Sequence, residues 1–201
     1  MLLCLDPSFT HCGCSIIDPD GNVIDAGTIV TEKTKNKLLR VADDDVRRIT
    51  QIASQLKTII QHYEIKGILA ELPPSNSQSA QAAKGLGMAV AIVTTTAAAF
   101  DIPLEWATPD EVKMAMTGRK DASKEDMMRA ACKRYGWRIT EKEIRSKKTG
   151  KRIRTDYTYH VLSNQWGKEK FEHVADSLGV LEALKQSNVV RMLRAPNQKA
   201  G

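Results

Sequence analysis

Cysteine is scarce in this chain and badly spaced for a metal knuckle. The four residues Cys4, Cys12, Cys14 and Cys132 include one C-x-C but no paired C-x-x-C, so buried, reduced strand thiols are expected in place of a zinc site. Reduced thiols suit a cytosol-like compartment. Runs of membrane-span length are also missing, and MLLCLDP at the start meets a charge too early to act as a secretory leader. The expectation is a soluble protein with no membrane partner. No internal repeat, low-complexity tract or clear linker interrupts the chain, so 201 residues with 42% apolar content read as one domain with an ordinary core.

Positive charge is present but concentrated. The net charge is +6, yet residues 133–156 alone hold ten Lys/Arg against three Asp/Glu. On charge alone a solvated face and a polyanion contact, most commonly nucleic acid, fit such a block equally well.

Periodicity places the elements. Leu2 to Leu5 is continuously apolar, as a strand buried on both faces is, and it stops at Asp6-Pro7-Ser8. Strands over 11–17 and 23–30, joined by the turn at 18–22, complete an antiparallel meander. A helix over 39–63 carries Val46, Ile49, Ile52, Leu56 and Ile60 at helical spacing, and a buried strand over 65–72 follows as a parallel crossover partner. Next come a helix over 77–100 with Ala80, Ala83, Gly87 and Ala91 along one face, and a short strand over 104–107. That small-residue face suits packing on the sheet, with self-association as the sharper alternative. Thr108-Pro109-Asp110-Glu111 and Ser123 each start a helix. Residues 137–170 read as a basic hairpin or mobile arm, 171–186 as a helix, and 187–201 as a flexible basic tail. Right-handed crossovers make this a five-stranded mixed α/β sheet with the first strand central and helices on both sides.

Ligands gather where parallel strands end and crossovers diverge. Asp6 and Glu71 close two such strands, a strange choice for turn formers alone because partly buried carboxylates need partners. In the last helix Val174, Leu178 and Leu181 form the buried stripe, and His173 and Asp176 lie together on its flank. If this helix packs beside the first strand, Asp6, Glu71, His173 and Asp176 converge. Three carboxylates and an imidazole favour Mg²⁺, with Mn²⁺ as a substitute. Two such ions can activate water and stabilise the leaving oxygen of a phosphodiester displacement.

At these residues the chain resembles the RuvC-type Holliday junction resolvases of the RNase H-like, retroviral-integrase superfamily. The likeness lies in Leu5-Asp6-Pro7-Ser8 with Thr10 and Gly13, in Ala70-Glu71 before SNSQSAQAAKGLG, in TPDEVKMAMTG followed by ASKED, and in HVADSLGV. It implies a homodimer that cuts a four-way DNA junction symmetrically with divalent metal and no nucleotide cofactor. It also implies that Asp6, Glu71 and Asp176 are metal carboxylates, that His173 is a ligand or proton relay, and that Lys113 and Lys124 act at the DNA backbone or in catalysis. Further DNA contacts are expected from Arg119, Lys120, Lys147, Lys148, Lys151, Arg152 and Arg154. Three positions depart from the family pattern. Cys12 replaces a common threonine, Pro74 stands where many members carry an aromatic wedge, and the 137–170 segment is longer than the usual connection. Tyr157 and Tyr159 share one face of that segment's strand, a pattern that suits branched or single-stranded DNA.

Three other functions compete. A broader nuclease for three-way, forked and flapped DNA shares every site residue. An actin-like or sugar-kinase ATPase also starts with a strand ending in an acid, but needs a second phosphate loop and a duplicated domain that are not seen. A non-catalytic DNA-structure binder does not need the intact set of four. The expected setting is the cytoplasm of a bacterial or virus-infected cell, with an organelle left open.

Overall fold

A computed structural model describes residues 1–74, 79–146, 148–149 and 151–194. Lys147, the SNSQ stretch after Pro74, the expected start of the helix at residue 77, and residues 195–201 lie outside the described residues.

Strands β1 (Leu2–Asp6), β2 (His11–Ile17) and β3 (Val23–Val30) form the antiparallel meander, and Gly21 takes the left-handed conformation its turn requires. Helix α1 (Val41–His62) crosses to β4 (Gly67–Glu71), and α2 (Ala80–Ala99) crosses to β5 (Leu104–Ala107). Both new strands add in parallel, giving the order β3-β2-β1-β4-β5 with β1 central. Helices α3 (Pro109–Thr117) and α4 (Lys124–Tyr135) follow, each begun by a capping box, Thr108 with Glu111 and Ser123 with Asp126. The sheet has a core on each side. Leu3, Leu5, Ile16, Ile68 and Ala70 pack against α1 and α2, and Leu2, Cys4, Ile17 and Leu69 pack against α3, α4 and α5 (Lys168–Leu184). All four cysteines are free and buried.

Four features differ from the sequence expectations. Residues 138–167 form a second sheet, β6 (Arg138–Arg145), β7 (Arg152–Val161) and β8 (Asn164–Gly167); the expected hairpin gains a third strand because Leu162 turns the chain back with positive φ. The first part of the expected tail is helix α6 (Asn188–Arg194), since Val189 and Val190 complete the core beside β4. The start of α1 buries Asp44, Asp45 and Arg48 while Val46 is 61% exposed. Arg48 donates to the Thr31 hydroxyl and the Phe9 carbonyl, so a hydrogen-bond network occupies the place of an apolar stripe. Finally, α2 has the length and composition of a membrane span. Its apolar count comes from small side chains: Ala89, Ile92, Val93 and Ala97 reach the core, while Ala80, Ala83, Gly87 and Ala91 face outward, not onto the sheet. Lys84 in its first turns pairs with Asp45 of α1 at 2.6 Å.

Candidate active site

Strand parity builds the site. In β1, Leu2 and Cys4 face the α5 side and Leu3 and Leu5 the other, so Asp6, next in the alternation, falls on the α5 side. In β4, Leu69 faces α5 while Ile68 and Ala70 face away, which puts Glu71 on the α5 side too. The parallel register Leu5↔Ala70 then sets Asp6 and Glu71 next to each other at the carboxyl ends.

Two contacts hold α5 over this edge. Ser15 on β2 and Ser177 on α5 are both fully buried and share a hydrogen bond of 2.6 Å. Ser177 spends its proton on the Val174 carbonyl, so the Ser15 hydroxyl donates to it. Gly13, opposite Asp6 in the register, lies so near α5 that a Cβ there would sit 2.0 Å from the His173 carbonyl oxygen. At this distance only hydrogen fits. The result is a 2.7 Å hydrogen bond between His173 Nδ1 and Asp6 Oδ2.

The charges at this edge are strained by burial. Desolvation first, then the charges of Asp6 and Asp176, push Glu71 up to about 8, with Lys113 opposing. Desolvation, Asp6 and Glu172 raise Asp176 to about 7, against His173 and Lys124. Burial disfavours imidazolium at His173, but the Asp6 hydrogen bond and the charges of Asp6, Glu172 and Asp176 outweigh it and hold the ring above its ordinary value. Beside them lies a cleft of about 210 Å³ lined by Glu71, Asp176, Lys113, Lys124, Pro74 and Met127. Among the described residues no three His, Cys, Asp or Glu side chains form a closed metal cage as they stand. The cluster is open, and its donors are hard carboxylate oxygens, of which burial and neighbouring acids suppress the ionisation of Glu71 and Asp176.

Of the sequence-predicted residues, Asp6, Glu71, His173, Asp176, Lys113 and Lys124 come together. Lys124 donates to Glu172, which with the nearby acids raises its pKa despite partial burial. Arg119 and Lys120 do not reach the cleft: they sit in the α3–α4 turn, paired with Asp121 and Asp110 at 3.2 and 3.6 Å. Arg119 lines a separate groove of about 530 Å³ with Arg129, Lys133 and Arg134, larger than the cleft but lacking its acids. Lys148, Lys151, Arg152 and Arg154 belong to the β6–β7 hairpin and are exposed. Two site residues were missed. His11 stacks on His173 with ring centroids 5.4 Å apart and lies 3.6 Å from Glu169; its place two residues before Gly13, on Asp6's face, was the available signal. Glu172, beside His173 in FEHVAD, had only its adjacency to mark it.

The fold and this edge define the class: a nuclease of RNase H-like architecture, with carboxylates at the strand ends. The family model for crossover junction endodeoxyribonuclease RuvC matches residues 2–133. A RuvC from Pseudothermotoga lettingae is 32% identical over 126 residues, covering 61% of this chain and 72% of that protein. One from Salinibacter ruber is 30% identical over 130 residues, covering 63% and 68%. Among solved structures, Thermus thermophilus RuvC in complex with Holliday junction substrate superposes with TM-score 0.61 at 15% identity over 92% of both chains. The yeast mitochondrial Holliday junction resolvase Ydc2 gives 0.55 at 14% identity, covering 96% of this chain and 81% of that one. The chain belongs to the RuvC family of crossover junction endodeoxyribonucleases, a family of metal-dependent nucleases. The matched residues include Asp6, Glu71, Lys113 and Lys124 but end before β6 and α5, so the placement of His173 and Asp176 rests on the geometry above.

Proposed function

We propose that this protein resolves four-way DNA junctions by paired, symmetric phosphodiester cleavage in recombination, repair or genome processing. The observation that carries the reading is the meeting of Asp6 and Glu71, from adjacent parallel strands, with His173 and Asp176 of α5 in one edge lined by two lysines.

Asp6, Glu71 and Asp176, with His173 beside them, fit Mg²⁺, and Mn²⁺ substitutes for it. Bound there, the metal supplies an activated water and positive charge at the leaving oxygen. The chain's own residues do the remaining work. Asp6 accepts from Nδ1–H of His173, which fixes the tautomer and leaves the ring's chemistry to Nε2. Lys113 and Lys124 offer cations to the scissile phosphate, and Lys124 exchanges Glu172 for that phosphate when DNA arrives.

Two incisions on a two-fold substrate need two sites, and a homodimer provides them. The outward face of α2, Ala80, Ala83, Gly87 and Ala91, is small and apolar enough for close helix contact between copies. Four buried free thiols suit a reducing cytoplasm in a bacterial or virus-infected cell.

The test is cleavage of four-way, three-way, forked and linear duplexes with Mg²⁺ or Mn²⁺, by wild type and by Asp6→Asn and Asp176→Asn. Paired nicks at four-way junctions by wild type alone are expected. Equal cleavage of forks assigns the broader branched-DNA activity, and native rates in either variant remove the metal-site assignment.

A further inference from the structure

The second sheet has a projecting part. β8 pairs with β7 only from Thr158 to Val161, whereas the β6–β7 pairing continues from Glu141↔Tyr157 to Arg145↔Arg152. Residues 141–145 and 152–157 therefore form a two-stranded ribbon with no third strand. It is on the order of 17–20 Å long at about 3.4 Å per residue. Such a ribbon matches the width of a DNA major groove.

The strand alternation leaves cations in excess on one face. Lys142 and Arg154 share it with Asp156, which stands opposite Lys142, and with Arg138, Thr140, Thr158 and His160, while Glu141 and Glu143 share the other with Tyr157. Each acid has a cation beside it: Arg129 of α4 lies 3.5 Å from Glu141, Arg145 2.7 Å from Glu143, and Arg154 2.9 Å from Asp156. Lys142, Lys148, Lys151 and Arg152 are exposed and have no recorded ion-pair partner among the described residues. A protein partner needs buried aromatic anchors, and the only large apolar side chain strongly exposed here among the described residues is Ile153. The excess cations instead match a polyanion.

At its base the sheet joins the catalytic helix. Tyr159 stacks on Phe171 at 4.4 Å, and Trp137 and Trp166 close on the same ring at 6.1 and 6.5 Å. Phe171 is fully buried and stands two residues before His173. The ribbon thus keeps a fixed offset from the acids of the cleft, and it lies beyond the residues that match the family model.

We propose that the β6–β7 ribbon grips a duplex arm of the branched DNA, lying in its groove with Lys142, Lys148, Lys151 and Arg152 on the phosphates. Cleavage then depends on base pairs in that arm as well as on the branch. This rests on the junction-nuclease reading. A ribbon of this length spans about six base pairs at 3.4 Å each, so an arm of about 6 base pairs, part of which lies at the branch, is too short to fill the ribbon, and one of about 15 base pairs is long enough.

The test compares wild type with Lys148→Ala/Lys151→Ala/Arg152→Ala, each full length with Mg²⁺ for cleavage and in an Asp6→Asn background for binding. The triple variant should bind the long-armed junction at least tenfold more weakly, and its log–log salt slope should fall by about 2–3 for three lost phosphate contacts. Binding to the short-armed junction and the saturating single-turnover rate should stay within twofold. A charge-keeping variant, Lys148→Arg/Lys151→Arg/Arg152→Lys, should restore wild-type binding, which excludes misfolding as the cause. An unchanged slope, or equal loss on short and long arms, overturns the grip. Wild type failing to cut any branched DNA overturns the underlying reading instead.

Discussion

Removing the charge of Glu71 should stabilise the metal-free protein at neutral and alkaline pH. Burial and two neighbouring acids raise Glu71 from 4.5 to about 8. The folded state therefore holds this proton more tightly than the unfolded chain, and stability must fall as pH rises from about 4.5 to 8. A full shift of that size would be worth at most about 5 kcal/mol. Part of it is repulsion shared with Asp6 and Asp176, and Glu71 retains some exposure, so the expected gain from Glu71→Gln at pH 8 is about 1–3 kcal/mol. Near pH 5, where the folded wild-type carboxyl carries its proton and the unfolded one has only begun to lose it, the gain should shrink to a small fraction of that. Urea unfolding in EDTA at pH 5, 6, 7 and 8 measures both. In Mg²⁺ the order should reverse, because a cation that binds only the folded wild type adds stability by mass action, and the glutamine variant has lost a ligand. Wild-type stability that is flat or rising from pH 5 to 8, or a glutamine variant weaker than wild type at pH 8 in EDTA, would refute the claim that burial and neighbouring acids raise Glu71.

Gly13→Ala should abolish cleavage out of proportion to its effect on stability, because a Cβ placed 2.0 Å from the His173 carbonyl oxygen forces α5 off β2 and opens the Asp6–His173 contact; junction cleavage alongside a thermal melt tests this, and a variant that cuts normally would show that the close approach is dispensable. Ser177→Ala should cost about 1–3 kcal/mol by stranding the buried Ser15 hydroxyl, and adding Ser15→Ala should recover part of that loss; a double variant less stable than the single one in urea would argue against a paired-hydroxyl account.

What the sequence disclosed and what it hid divide along the range of the physics. The sheet and its order were legible because β1 is apolar on both faces and because two crossover helices admit one handedness. The strand ends located Asp6 and Glu71, since each acid closes an apolar parallel strand at the end where ligands gather. Helix starts at Thr108 and Ser123 were legible because capping is a four-residue interaction. Contacts that join distant segments had no such signature. Lys124 and Glu172 are 48 residues apart and meet only because α4 and α5 pack together. His11 gains its role from the approach of α5 that Gly13 allows. In the β6–β8 sheet the alternation of β7 was legible, with Tyr157 and Tyr159 on one face, but β8 was not, because Asn164-Gln165-Trp166-Gly167 offers one large apolar side chain in four residues. An apolar/polar alternation test cannot register so short and polar a strand.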